Sequence, residues 1–134
     1  MTTLARTPLI VAMLLAAGLA GCGPVGWENS LEAGLSKAAV ERRPALVMFS
    51  SMVSPDCISM DKEVFPDPSV QSALRSFVPV RIDYVIHRKL AKELNVQTLP
   101  TFVVFRPDRS VAAVQEGKMD ARSFSVFLIK YRYY

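Results

Sequence analysis

The chain has 134 residues, of which 51% are hydrophobic and 21% charged, with a formal net charge of +4. That length suits one domain with a single hydrophobic core. Lysine and arginine are spread from Lys37 to Arg132 without a basic block, apart from the short tail Lys130-Tyr131-Arg132-Tyr133-Tyr134, so the composition argues against a nucleic-acid surface and leaves a generic solvated exterior, with anionic lipid headgroups as the other compatible partner.

Taken in chain order, Pro8 to Leu19 is an almost unbroken apolar run, preceded by the single basic residue Arg6 and closing on small residues. This is the pattern of a bacterial secretory signal, too short and too poorly flanked to read as a membrane span. The run ends in Leu19-Ala20-Gly21-Cys22, which resembles the lipobox of bacterial lipoproteins. In that family the cysteine is acylated and becomes the first residue of the mature chain. The resemblance implies a signal peptide over residues 1–21, membrane attachment through lipid on Cys22 and, because Gly23 is not aspartate, an outer-membrane location facing the periplasm. Removing residues 1–21 leaves 113 residues and, with the loss of Arg6, a formal charge of +3. Cys57 is then the only free thiol and no intramolecular disulfide can form. An unpaired thiol exported to an oxidising compartment is the feature to account for.

Residues 22–26 hold glycines and a proline and read as a tether; the domain is expected over 27–134. Trp27, Leu31, Leu35 and Ala38 or Ala39 fall at helical spacing, with Asn29 or Ser30 as the cap and Arg42-Arg43-Pro44 as the stop. Ala45 to Ser50 is an apolar run of strand length. A helix is expected from Cys57 to Val64, interrupted by Phe65-Pro66-Asp67-Pro68, and another from Pro68 to Phe77 with Val70, Leu74 and Phe77 on one face. Val78 to Tyr84 predicts a strand, Ile86 to Leu94 a helix, and Val96 to Phe105 a loop leading into a β-prone strand. Arg106 to Ser110 supplies turn residues, and Val111 to Gln115 a hairpin partner. After Gly117, Asp120 caps a last helix whose apolar positions are Phe124, Phe127 and Leu128. The order α, β, α, α, β, α, β, β, α describes an α/β fold, a mixed sheet covered by helices on both faces.

Several segments in this order resemble the thioredoxin superfamily, most closely the exported branch that includes the C-terminal domain of the bacterial membrane disulfide reductase. They are Arg43-Pro44-Ala45-Leu46-Val47-Met48-Phe49, Phe65-Pro66-Asp67-Pro68-Ser69-Val70, Leu90 to Val96, Leu99-Pro100-Thr101-Phe102, and Gly117 near the last helix. The resemblance covers Trp27 to Leu128 and implies a three-layer sandwich with a mixed central sheet. It also implies a cis proline at Pro100 facing the active-site thiol, with the backbone at Leu99 and Pro100 free to pair with an extended peptide substrate.

The same alignment puts the family's Cys-x-x-Cys on Ser54-Pro55-Asp56-Cys57, so the attacking position is serine and only the resolving position keeps sulfur. Dithiol exchange needs both, one thiolate to attack a disulfide and a second to release the mixed disulfide. The family's aromatic residue before the motif matches Val53, and the buried acid of some members falls on Met48. Cys57 opens a helix, where unpaired N–H groups favour an anion, yet it also fits the role of a small buried core residue.

Three functions stay open at this level. A degenerate SxxC site could bind or assist a partner protein; Cys57 could act alone as a monothiol thiol-disulfide oxidoreductase on a thiol substrate of the cell envelope; and Met52, Cys57 and Met60 could present soft sulfur ligands to Cu(I). His87, the single histidine, reads as a surface or helix-capping residue. No cofactor is implied, and Ser54 has no histidine partner evident in the sequence.

Overall fold

The computed structural model describes residues 23–134; the signal-like run and the acylation position Cys22 lie outside the described residues. In chain order the elements are α1 (Leu31–Glu41), β1 (Ala45–Ser50), α2 (Pro55–Ser59) continuing as a π-helical turn over Met60–Val64, α3 (Pro68–Leu74), β2 (Val78–Asp83), α4 (Arg88–Glu93), β3 (Thr101–Phe105), β4 (Val111–Glu116) and α5 (Ala121–Tyr131). The four strands form one sheet in the order β2-β1-β3-β4. β1 runs parallel to β2 and antiparallel to β3, and β3 pairs antiparallel with β4.

All six residues of β1 are buried, and the two-residue period of a strand divides them between two cores. Leu46 and Met48 face a cluster holding Cys57, Met60, Phe65, Leu74, Phe102 and Phe124. Ala45, Val47 and Phe49 face a second cluster with Leu35, Ala38, Val80 and Ala91. Helices therefore cover both faces, and the fold is the α/β three-layer sandwich anticipated from the element order. Among the described residues no helix is long and apolar enough to cross a membrane.

Local chemistry explains most boundaries. Ser30 caps α1 by accepting the Ala33 N–H, and Asp67 caps α3 through the N–H groups of Ser69 and Val70. Asp120 caps α5 by accepting from Ser123 at 2.7 Å, while Phe124, Phe127 and Leu128 supply its buried face. These oxygens satisfy N–H groups that have no partner inside their helix.

Three elements differ from expectation. Trp27 precedes α1 instead of lying on its stripe: Glu28 joins the open edge of β2, its N–H donating to Pro79 O at 2.8 Å and its carbonyl accepting from Arg81 N at 2.8 Å. Edge pairing satisfies two backbone groups that a longer helix would withdraw, and it sets Trp27 against Phe65 with ring centroids 5.0 Å apart. The tether-like stretch is also held, with the Val25 N–H donating to Gln71 Oε1 at 2.7 Å. Finally, α4 starts at Arg88 and not at Ile86, because the Asp83 carboxylate takes the N–H groups of Val85 and Ile86 and folds residues 84–87 into a turn.

Candidate functional site

Strand register gathers several loops at one end of the sheet. Ser50 pairs with Asp83, Phe49 with Thr101, and Thr101 with Glu116. The turn after β1, the turn after β2, the loop before β3 and Gly117 after β4 consequently share that end, the carboxyl end of the parallel pair, where α/β sheets place their ligands.

The turn after β1 is tied locally: Ser54 N–H donates to Ser51 O at 3.2 Å, and Val53 N–H to Ser51 Oγ at 3.3 Å. Ser54 is the N-cap of α2, with extended backbone and Pro55 as the first helical residue. Its Oγ accepts the Cys57 N–H at 3.3 Å. The Ser54 hydroxyl thus works as a helix cap.

Cys57 is a free cysteine, 2% exposed, in the same cluster as Met48 and Met60. The chain turns it inward because the α2 cap fixes the helix start, and the π turn, closed by the Phe65 N–H on Met60 O at 2.9 Å, aligns Met60, Val64 and Phe65 with the same core. Met52, by contrast, is 91% exposed. Of the three proposed sulfur ligands, two are buried together and the third stands in solvent. Among the described residues no group of His, Cys, Asp and Glu has a metal-holding arrangement. His87 precedes α4 and directs Nδ1 to Asp83 O at 3.2 Å without a side-chain capping bond, and among the described residues it makes no hydrogen bond to Ser54.

Across the site, Leu99-Pro100 is a cis peptide, as the resemblance implied. Pro100 is buried, and its carbonyl accepts from Gly117 N at 2.8 Å. Thr101, fully buried, donates from Oγ1 to Thr98 O at 2.6 Å. These bonds fix the loop on both sides of Leu99, whose own N–H and C=O have no hydrogen-bond partner among the described residues. Leu99 is half-buried and packs against both cores. Thr98, Thr101 and Gly117 were missed as loop anchors in the sequence reading; the Pro-Thr pair and the isolated glycine were the available signals. The exposed apolar residues at this end were missed as well, apart from Met52 and Val53: Ile86 is 80% exposed, with Val85 beside it.

The geometry offers a fixed loop with an unpaired backbone at Leu99, an apolar exposed rim and an inward-facing thiol. It can hold an extended segment by backbone pairing, but gives a disulfide no open route to sulfur in the folded state.

A model of the thioredoxin-like domain family matches residues 31–132. Among solved structures, a thioredoxin from Thermus thermophilus is 24% identical, with a TM-score of 0.72, over 81% of this chain and 87% of that one. The oxidised C-terminal domain of DsbD from Neisseria meningitidis is 22% identical, with a TM-score of 0.67, over 78% of this chain and 98% of that one. A DsbH oxidoreductase is 15% identical, with a TM-score of 0.65, over 83% and 85% of the two chains. At these identities the likeness concerns the fold. No curated protein matches the chain.

Proposed function

The chain belongs to the thioredoxin-like domain family, and on that premise we propose that it is a binding module of the bacterial cell envelope, anchored to the outer membrane by lipid on Cys22 and facing the periplasm. Its Ser54-Pro55-Asp56-Cys57 turn is a degenerate form of the family's dithiol site. The partner is a protein segment in extended conformation that pairs with Leu99 beside Pro100 and lays its side chains against the apolar rim. The observation that carries this reading is the Leu99 backbone, held in place on both sides and free of hydrogen-bond partners among the described residues. A preformed edge of this kind binds main chain without having to order itself first.

The loss of dithiol exchange follows from chemistry at α2. Attack on a disulfide needs a thiolate, and a serine hydroxyl is far too weak an acid to substitute without a base. Here that hydroxyl is engaged with the Cys57 amide. A monothiol reaction through Cys57 is the second reading, favoured by the presence of a free thiol in the first turn of a helix, and its burial weighs against it. Cu(I) binding loses support from the outward position of Met52.

Crosslinking tests the proposal. A photoreactive residue at Val53 or Ile86 in the full-length chain is expected to capture a protein partner in envelope membranes, and Cys57→Ala is expected to leave that capture unchanged. Absence of capture together with turnover of a disulfide substrate by Cys57 would reverse the assignment in favour of the monothiol enzyme.

A further inference from the structure

The outer face of α5 is unpartnered and unlike a simple solvated helix. Arg122, Val126, Ile129, Lys130 and Tyr133 recur at helical spacing opposite the buried Phe124 and Leu128. Val126 is 60% exposed and Tyr133 78%. The Arg132 guanidinium lies 4.9 Å from the Tyr133 ring centre, and the Lys130 ammonium 5.2 Å from that of Tyr131. Residues 68–82, which include the neighbouring α3, and residues 121–134 contain no aspartate or glutamate. The nearest acids, Asp67 and Asp120, are the helix caps, each tied to backbone N–H groups.

The chain enters the fold beside this face. The Gly23 carbonyl accepts from Arg75 Nη2 at 3.1 Å, one residue past the end of α3. An open cleft of about 410 Å³ runs between Gly23, Pro24, Pro68 and Gln71. Pro68 also borders a second cleft of about 450 Å³, walled on its other side by Ile129 and Arg132 of the α5 segment. Cys22 directly precedes Gly23 in the sequence, and Gly23 is bonded to the α3 side of the molecule. On the lipid-anchored reading, the attachment point therefore adjoins the α3/α5 side.

We propose that the outer face of α5, with the tail Lys130 to Tyr134, lies against an anionic phospholipid surface, Val126, Ile129 and Tyr133 entering the headgroup boundary and Arg122, Lys130 and Arg132 meeting phosphate. Aromatic and basic residues together suit that boundary, and the acids bordering the face, Asp67 in a cleft with Arg122, Val126 and Ile129 and Asp120 beside Arg122, are engaged as helix caps, so basic side chains outnumber them. The proposal rests on the lipid-anchored reading and sets the orientation of the domain. The sheet end bearing Leu99 is a different surface, left open to the periplasm.

The test takes the full-length chain, acylated in its host, into phosphatidylcholine vesicles with or without phosphatidylglycerol, with a photoreactive phenylalanine analogue placed at Val126 or, as control, at Ile86. Flotation with neutral vesicles reads the anchor; lipid adducts read the face. On anionic vesicles, adducts at position 126 are expected to exceed those at 86 several-fold and to fall roughly fivefold for each of Arg122→Gln, Lys130→Gln and Arg132→Gln. Flotation with equal adducts at the two positions overturns the proposal and keeps the anchor. Position-126 adducts on anionic vesicles without flotation on neutral ones keep the face and overturn the anchor.

Discussion

On the proposed reading Ser54 stands where a dithiol enzyme carries its attacking sulfur, and its oxygen accepts the Cys57 N–H at 3.3 Å. The two residues are therefore coupled as cap and capped amide, with Cys57 buried in the same core cluster as Met48 and Met60. If the loss of chemistry lies in the missing thiol and not in the scaffold, replacing one atom should restore it. Ser54→Cys keeps Pro55, Asp56 and Cys57 and is expected to give measurable reduction of insulin by dithiothreitol above the uncatalysed rate, where the natural chain gives none. No gain in a variant whose unfolding midpoint is unchanged would show that the scaffold itself has lost the reaction.

At the scale of elements, α1 approaches β2 closely at Gly34. A Cβ added to Gly34 would lie 2.2 Å from Val80 Cγ2, and Val80 is fully buried with a stiff β-branched side chain. Gly34→Ala is expected to cost about 1–3 kcal/mol by forcing helix and strand apart, read as a lower urea midpoint; a midpoint at or above the natural one would contradict the close approach. Much of this architecture was legible because local signals agreed with the core pattern: β1 followed from an apolar run after Pro44, α3 from Pro68 and α5 from Asp120, each with its apolar stripe. The Ser30 cap of α1 was legible, while placing Trp27 on its stripe and starting α4 at Ile86 share a cause, since apolar periodicity outweighed the edge pairing of Glu28 and the Asp83 turn. At the site, the cis Leu99-Pro100 bond was legible through the resemblance. The burial of Cys57 stayed open between a core residue and an accessible thiol, and the π-helical turn that follows it has no spacing signature separate from an α-helix.

Across the whole molecule, charge is handled at the surface. Backbone and side-chain hydrogen bonds from Ser123 hold Asp120 below the ordinary carboxylate range, those from Ser110 lower Asp108, and the Arg109 guanidinium lowers Glu32. A carboxylate with a depressed folded pKa contributes stability that is fully present above its unfolded pKa and is lost as pH falls through the folded value. The melting temperature is expected to be flat between about pH 7 and pH 5 and to drop below about pH 4. Asp120→Asn, which retains a capping oxygen, should make that drop shallower; a melting temperature that rises on acidification would contradict these assignments.

The same molecule-wide arrangement separates an open binding end from a closed thiol. The most direct test of that separation is the reaction of Cys57 with a thiol reagent in the chain purified from its host's membranes, in which, on the proposed anchoring, Cys22 carries lipid and does not react. The account predicts no reaction in the folded state and one equivalent after denaturation. Stoichiometric reaction of the folded chain, at the rate of an unprotected thiol, would contradict it.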